Sequence, residues 1–312
     1  MGLEIALYLG LLLLSLAVLL KASDWFVTAA ERIGLALGIS PFIIGVTIIA
    51  FGTSLPELAS SIAAVLAGEP EIVVGNVVGS NITNILLVLG LVAVVAGDFK
   101  LNDRVMDIDV PLLVGSAFLM WFTLYDNTFS FGEAIIFLIG LVVFLLNTLR
   151  SEDSIKNPDK PWVTWRSYGL LVLGGGLVYV GANFTIMAIQ ELSVLANINS
   201  EFIALTIVAL GTSLPEVVVS ITAARKKKTA IAVGNVLGSN LFNTFAVMSI
   251  PSFFGSLVIP ENIQDFSLPF MVAVSVLFGF ICVTRKISRW EGAILLVFYG
   301  FFYMELLRQL LD

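Results

Sequence analysis

The hexapeptide GTSLPE occupies residues 52–57 of this 312-residue chain and recurs unchanged at residues 211–216. Moving the sequence by 159 positions aligns residues 44–84 with residues 203–243 without a gap, and 22 of the 41 aligned positions are identical. A second shared block, GNVVGSNITN at 75–84, aligns with GNVLGSNLFN at 234–243. Composition bias alone would not keep one offset through both blocks, so the chain contains two copies of one unit.

The composition is that of a membrane protein. Apolar residues make up 58% of the chain and charged residues only 12%, which is about half the charged share of a soluble domain. Apolar runs of roughly 17–25 residues, the length that spans a bilayer, predict an all-α polytopic membrane protein with ten transmembrane helices. Their approximate ranges are 3–33, 41–66, 71–96, 108–125, 130–150, 166–191, 201–224, 229–254, 266–284 and 289–310.

These ten helices divide into two five-helix repeats. The first repeat is predicted to span 1–150, a polar cytoplasmic linker 151–165, and the second repeat 166–312, with the shared blocks at 42–90 and 202–250. Because five is odd, the two copies insert in opposite orientations. Inverted repeats are typical of secondary transporters, whose substrate site lies near the midplane of the membrane, where the repeats meet.

Lysine and arginine predict the orientation in the membrane. Excess Lys and Arg mark cytoplasmic loops, and in this chain all of them except Lys21 and Arg308 collect on one face, whereas the loops of the other face carry acidic residues. The basic set is Arg32, Lys100, Arg104, Arg150, Lys156, Lys160, Arg166, Arg225–Lys228, Arg285, Lys286 and Arg289. We therefore expect a multi-pass protein of the plasma membrane with cytoplasmic basic loops and extracellular termini. Topology explains the RKKK run at 225–228, and nothing supports nucleic-acid binding.

Each GTSLPE block places a proline inside an apolar helix. Proline lacks an N–H group and clashes with the carbonyl four residues earlier, so Pro56 and Pro215 predict helix breaks near Gly52 and Gly211. A freed carbonyl in hydrocarbon needs a partner, which a cation, a water molecule or a hydroxyl group supplies.

The glutamate of each block is the stronger functional signal. A carboxylate at the midplane costs several kcal/mol, and Glu57 and Glu216 stand at matching positions. A buried basic partner is one explanation, but Lys21 is the sole candidate and Asp24 is its nearer partner. A divalent cation between the two glutamates accounts better for both.

Hard oxygen donors accompany the glutamates. Hydroxyl and amide oxygens suit Ca²⁺ and, in smaller cages, Na⁺, whereas softer metals prefer histidine and cysteine. The chain has no histidine and one cysteine, Cys282. The candidate side-chain ligands are Thr53, Ser54, Thr212, Ser213, Ser80, Ser239, Asn84 and Asn243. For Asn81 and Asn240, hydrogen bonding between helices is an equal alternative.

Twin GTSLPE blocks, each followed by GNxxGSN, resemble the alpha repeats of the cation/calcium exchanger superfamily. The chain is most similar to prokaryotic sodium/calcium exchangers, and the potassium-dependent branch shares the motif. The resemblance implies that Glu57 and Glu216 hold Ca²⁺, that Asn84 belongs to the central site, and that helices one and six slide against the other eight. It further implies flanking Na⁺ ligands, namely the side chains of Thr53, Ser54, Thr212, Ser213, Ser80 and Ser239 and the backbone carbonyls of Ala50 and Ala209.

The second repeat departs from the family pattern at one position. Many sodium/calcium exchangers have aspartate where this chain has Asn243, whose carbonyl can still coordinate Na⁺. Ionised Glu57 and Glu216 would balance one Ca²⁺, whereas three Na⁺ would leave a net charge of +1. Stoichiometry and K⁺ dependence therefore stay open.

The functional expectation is a Ca²⁺/Na⁺ antiporter that works by alternating access, as a monomer and without a cofactor. An H⁺-coupled Ca²⁺ antiporter of the same fold is the alternative, although the flanking hydroxyl groups favour Na⁺. An ion channel fits less well, because a single central carboxylate pair suits occlusion better than conduction. An intramembrane enzyme is disfavoured, since symmetric duplicates do not supply the two different roles of nucleophile and base.

Overall fold

The computed structural model describes residues 2–101, 105–150, 161–195 and 213–311. Within these ranges, nine helical segments are long and apolar enough to cross a membrane, which confirms the prediction of an all-helical polytopic membrane protein. The predicted seventh helix, 201–224, is described only from Leu214 onward. Its first part and residues 151–160 of the predicted linker lie outside the described residues.

In the first repeat, three membrane-crossing segments contain a π-helical turn, in which hydrogen bonds join residues five apart. The elements are α1 (Gly2–Ala36), α2 (Pro41–Ile44), π1 (Gly45–Ile49), α3 (Ala50–Ala67), α4 (Glu71–Thr83), π2 (Asn84–Leu89), α5 (Gly90–Ala96), β1 (Phe99–Lys100), π3 (Val105–Asp109), α6 (Val110–Thr123), β2 (Thr128–Phe129) and α7 (Phe131–Arg150).

The second repeat follows the same order wherever it is described. Its elements are α8 (Trp165–Leu195), α9 (Leu214–Arg225), α10 (Thr229–Phe242), π4 (Asn243–Val247), α11 (Ser249–Ser252), β3 (Leu257–Val258), π5 (Ile263–Ser267), α12 (Leu268–Cys282), β4 (Lys286–Ile287) and α13 (Arg289–Leu311). The offset of 159 positions carries the start of π2 onto the start of π4, and the start of π3 to within one residue of π5. The irregular turns are therefore duplicated together with the helices.

Helix ends follow local capping chemistry. The Ser40 side chain accepts a hydrogen bond from the backbone N–H of Ile43, and Pro41 begins α2, where its missing N–H is harmless. Gly68 ends α3 in the left-handed conformation, with φ of 86°, which glycine adopts without steric cost. Lys227, at the equivalent position of the second repeat, has φ of 60°. The shape of this loop is thus kept although the residue differs.

Two short sheets link the repeats. Strand β1 pairs with β4, with Phe99 opposite Ile287, and β2 pairs with β3, with Thr128 opposite Val258. Moving Phe99 forward by 159 positions gives Val258, and moving Ile287 back by 159 gives Thr128, so one pairing is the repeat image of the other. Each sheet takes one strand from each repeat, and the repeats are therefore interlocked.

An ion pair beside the first sheet connects it to the preceding loop. The Lys286 ammonium lies 2.8 Å from the Asp98 carboxylate, and both side chains are about half exposed. The hydrogen bond between them lowers the pKa of the Asp98 carboxyl group and raises the pKa of Lys286. Solvent screening limits what such a pair adds to stability.

Helix α10 lies at the centre of the molecule, and every residue from Ile231 to Phe242 is buried. Its glycines allow the backbone of the second membrane-crossing segment, Pro41–Ala67, to approach closely. A Cβ atom on Gly234 would lie 2.9 Å from the backbone nitrogen of Val46, and one on Gly238 would lie 2.7 Å from the Cβ atom of Ala50. This contact brings the first GTSLPE helix against the second GNxxGSN helix.

Helices α1 and α8 pack closely along their length, because glycines of α8 lie directly against the backbone of α1. A Cβ atom on Gly181 would lie 3.1 Å from the Cα atom of Leu19, and one on Gly174 would lie 2.9 Å from the backbone nitrogen of Phe26. The Thr185 hydroxyl group donates to the Ser15 hydroxyl oxygen at 2.9 Å. The first and sixth transmembrane helices thus form a close pair.

Charged residues join α1 to the loop between α9 and α10. Lys226 lies 2.5 Å from the Asp24 carboxylate, and Lys228 forms an ion pair with Glu31. Lys21, which the sequence pairs with Asp24, is exposed and lies over the Trp25 ring, 5.8 Å from its centroid. Asp24 pairs with Lys226 instead, because α9 places the α9–α10 loop alongside α1.

Candidate cation-binding site

The two glutamates of the GTSLPE blocks meet in the interior. Glu57 lies on α3 and Glu216 in the first turn of α9, with 0% and 1% of their surface exposed. Their carboxyl groups are close enough to interact electrostatically, and the Ser54 hydroxyl group donates to Oε1 of Glu216 at 3.2 Å. Residues of opposite repeats therefore form one acidic site.

Several buried polar atoms of the predicted ligand set have no protein partner among the described residues. Among the described residues, neither carboxylate oxygen of Glu57 accepts a hydrogen bond, nor does Oε2 of Glu216. The amide groups of Asn84 and Asn243 and the hydroxyl group of Ser213 are likewise buried and unpaired within the described ranges. Buried polar groups are normally satisfied, so this concentration of free oxygen atoms indicates a site for a cation or ordered water.

A basic side chain does not neutralise the pair within the described part of the chain. The ion pairs found there join charged residues at the helix ends and loops, and Lys21 contacts Trp25. In the same ranges, no group of three or more His, Cys, Asp or Glu side chains gathers. Two carboxylates therefore supply the site's formal charge, and neutral hydroxyl, amide and backbone oxygens supply the remaining candidate ligand atoms.

A smaller group of oxygens gathers at Thr53. Its hydroxyl oxygen lies 3.3 Å from the carbonyl oxygen of Ala50 and 3.5 Å from the Ser239 hydroxyl oxygen. It also lies 3.2 Å from Oδ1 of Asn235. Three of the predicted ligands, Ala50, Thr53 and Ser239, thus come together beside the glutamates.

The other predicted ligands are placed as follows. Ser80 is buried on α4 and Ser213 is buried directly before α9. Asn84 and Asn243 are the first residues of π2 and π4, and the backbone N–H of Met248 bonds to the Asn243 carbonyl oxygen, five residues earlier. Ala209, Gly211 and Thr212 lie outside the described residues.

The predicted helix break takes a different form in the first repeat. Helix α3 runs without interruption from Ala50 to Ala67, through Gly52 and Pro56. Proline removes one N–H donor, and the neighbouring hydrogen bonds keep the helix continuous. The irregular backbone lies just before α3, in π1. In the second repeat Pro215 falls in the first turn of α9, where proline is well tolerated.

The sequence interpretation missed a pair of polar bridges beside the site. Asn76 donates to the Ser61 hydroxyl oxygen at 3.1 Å, and Asn235 donates to that of Ser220 at 2.9 Å. Both asparagines and both serines are identical between the aligned repeats, and this identity was the signal available for finding them.

The comparisons with known proteins agree along nearly the whole chain. The model of a family described as sodium/calcium exchanger protein matches residues 7–150 and 166–307. The chain is 35% identical to the sodium/calcium exchanger MaX1 of Methanosarcina acetivorans, over 95% of this chain and 97% of that protein. It is 33% identical to the inner membrane protein YrbG of Escherichia coli, over 94% of each.

Solved structures give the same result. The fold superimposes on the sodium-calcium exchanger NCX_Mj soaked without Na⁺ and Ca²⁺ with a TM-score of 0.84 and 33% identity, over 97% of this chain and 99% of that one. For NCX_Mj soaked with 100 mM Na⁺ and 10 mM Sr²⁺, the TM-score is 0.82 at 32% identity, with 95% and 97% covered.

Proposed function

The chain belongs to the sodium/calcium exchanger family, and from this premise we propose that it exchanges Ca²⁺ for Na⁺ across the membrane, with Ca²⁺ held between Glu57 and Glu216. The observation that carries the proposal is the buried pair of carboxyl groups, one from each repeat, whose oxygens lack protein partners among the described residues. One Ca²⁺ would neutralise both carboxylates and satisfy the free oxygens together.

Sodium would occupy the same region by using the uncharged oxygens. The carbonyl of Ala50 and the hydroxyl groups of Thr53 and Ser239 already converge, and this is the ligand chemistry that a small monovalent cation needs. Because Na⁺ and Ca²⁺ would share the carboxylate pair, they would compete, and this competition couples the two fluxes. Ala209 and Thr212 would complete the symmetric half, with Ser54, Ser80, Ser213, Asn84 and Asn243 as further oxygen donors.

The proposed transport cycle is alternating access. Helices α1 and α8 would slide as one unit against the remaining helices, and their close packing at Gly174 and Gly181 supports this unit. The loops that carry the basic residues would face the cytoplasm, and both termini would face the outside. The protein would work in the plasma membrane as a monomer.

Flux measurements on purified protein in liposomes test the proposal and the driving ion together. We expect ⁴⁵Ca²⁺ to enter vesicles preloaded with Na⁺ and not vesicles preloaded with K⁺. Uptake into Na⁺-free vesicles under an imposed pH gradient would replace this proposal with proton-coupled exchange. Uptake that does not saturate and needs no counter-ion would indicate a channel.

A further inference from the structure

Two buried asparagines occupy equivalent positions beside the proposed ion site without belonging to its ligand set. Asn76 on α4 and Asn235 on α10 lie one helical turn before Ser80 and Ser239. Asn235 is 0% exposed, and its amide nitrogen donates to the hydroxyl oxygen of Ser220 on α9 at 2.9 Å. The amide group is therefore held in one orientation by a neighbouring helix.

This orientation directs the amide oxygen of Asn235 at Thr53. The Thr53 hydroxyl group donates to Oδ1 of Asn235 at 3.2 Å, across the interface between α3 and α10. Three other oxygens lie within reach of the same hydroxyl group, namely the Ala50 carbonyl oxygen at 3.3 Å, the Ser239 hydroxyl oxygen at 3.5 Å and the Glu216 carboxylate. A hydroxyl group has one proton and two lone pairs, so only one of these oxygens receives the full hydrogen bond at a time.

The choice of acceptor matters for a cation. If Thr53 donated to the Ala50 carbonyl or to Glu216, its proton would occupy one lone pair of an oxygen that the cation is proposed to bind. Donation to Asn235 leaves the Ala50 carbonyl oxygen and both lone pairs of Thr53 Oγ1 available for coordination. An amide oxygen can take this proton without adding charge to the site.

We propose that Asn235 is a positioning residue for sodium binding, which accepts the Thr53 hydroxyl proton and thereby presents the oxygens of Thr53 and Ala50 to Na⁺. This inference rests on the proposed function, because it needs Thr53 to be a Na⁺ ligand. It concerns the second repeat's asparagine, since the counterpart of Thr53 lies outside the described residues. Asn235 acts through Thr53 and does not itself contact the ion.

A double-mutant cycle tests this relation. Purified wild-type protein, Asn235→Ala, Thr53→Val and the double variant would be titrated with Na⁺ in the absence of Ca²⁺, with the rise in unfolding temperature as the readout of binding. We expect Asn235→Ala to raise the half-saturating Na⁺ concentration about fivefold, the effect of losing one hydrogen bond. In the Thr53→Val background, Asn235→Ala should add no further change, because the interaction is already lost.

Two further variants separate positioning from structural support. Ser220→Ala keeps the Asn235 amide group but removes the hydroxyl oxygen that orients it, so it should raise the half-saturating Na⁺ concentration, by less than Asn235→Ala does. Ser116→Ala removes another buried polar group, a hydroxyl group on α6 that donates to the Leu113 carbonyl oxygen and is not a predicted ligand, and should leave Na⁺ half-saturation within about twofold of the wild type.

The inference is overturned if the Asn235 and Thr53 effects multiply, or if Ser116→Ala weakens Na⁺ binding as much as Asn235→Ala does. Because ion-dependent stabilisation needs no transport, the cycle gives an answer whatever the flux result. Normal Na⁺-driven ⁴⁵Ca²⁺ uptake with a multiplicative cycle would remove this inference alone, whereas absent uptake in the wild type would remove the proposed function.

Discussion

At the scale of single residues, the site combines two acidic side chains from opposite repeats with an unusual number of unpaired neutral ones. Glu57 and Glu216 occupy equivalent positions in the two repeats, as do Asn84 and Asn243, and all four side chains are buried. Burying such groups without partners would destabilise the fold. We therefore expect bound cations to stabilise this polar centre.

The residues that carry charge were identifiable from the sequence, because a glutamate in an apolar helix is costly and rarely incidental. Asn235 was not identified, although it is identical in both repeats. Its importance depends on which way its amide group faces and on a contact with Thr53, 182 positions away. Sequence periodicity contains neither piece of information.

Gly238 allows α10 to lie against the first GTSLPE helix, and we expect Gly238→Ala to destabilise the protein by about 1–3 kcal/mol, the usual cost of overpacking. The added methyl group would meet the Val46 carbonyl oxygen and the Ala50 Cβ atom. The unfolding temperature in detergent measures this effect.

Gly115→Ala is the matched control for Gly238→Ala. Gly115 lies in the interior of α6, and a Cβ atom added there would meet no described atom of another helix within 4 Å. Alanine should therefore be neutral or stabilising by up to about 1 kcal/mol. Equal unfolding temperatures for the two variants would show that the close approach at Gly238 is unimportant.

At the scale of secondary-structure elements, π-helical turns stand where the ligands are presented. Turn π1 ends directly before Ala50, while π2 and π4 begin at Asn84 and Asn243. Hydropathy predicts that these segments cross the membrane but does not distinguish an α-helix from a π-helix, since both bury the same apolar residues. Pro56 predicted an irregular backbone near Gly52, whereas the irregular turn of the first repeat lies before Ala50.

The ion pairs between α1 and the α9–α10 loop should restrain the end of α1. We expect the double variant Lys226→Gln/Lys228→Gln to accelerate amide hydrogen exchange at the end of α1, residues 24–36, several-fold, because each partly exposed pair contributes roughly 0.2–1 kcal/mol. Hydrogen-exchange mass spectrometry at low and high salt measures this change.

Lys227→Gln provides the control for these ion pairs. Lys227 is a neighbour on the same loop, and the described ion pairs of this loop involve Lys226 and Lys228. Its replacement should leave exchange in α1 unchanged. If Lys227→Gln accelerated exchange in α1 as much as the double variant does, the net charge of the loop would matter rather than the specific ion pairs.

At the scale of the whole molecule, the two repeats are joined by paired strands as well as by packed helices. The sheets β1–β4 and β2–β3 are images of each other under the offset of 159 positions. The nine membrane-crossing helices of the described residues and their two-repeat arrangement followed from apolar run lengths and the duplicated sequence blocks. The strand pairings did not, because two-residue strands such as Phe99–Lys100 leave no alternating pattern to detect.

The inverted orientation makes a direct prediction about two equivalent loops. Glu69 follows α3, and Lys227 lies in the corresponding loop after α9. In a Cys282→Ser background, which removes the single cysteine, we expect a membrane-impermeant maleimide to label Glu69→Cys in intact cells. Lys227→Cys should be labelled only after the membrane is permeabilised.

Labelling of both cysteines from the outside of intact cells would contradict the inverted arrangement of these loops. Labelling of Lys227→Cys alone would reverse the proposed orientation of the protein and leave the inverted repeat intact. A maleimide signal from Cys282→Ser protein without a new cysteine would mark non-specific reaction, and it sets the baseline.

Isothermal titration calorimetry of Ca²⁺ binding to purified Glu57→Gln and Glu216→Gln proteins, with Glu69→Gln on an exposed loop as the control, tests directly whether the two glutamates bind the ion. We expect each site variant to weaken Ca²⁺ binding by about a hundredfold or more, equal to roughly 2.8 kcal/mol, while Glu69→Gln binds like the wild type. Unchanged Ca²⁺ affinity in either folded site variant would contradict the claim that the two glutamates hold the ion together.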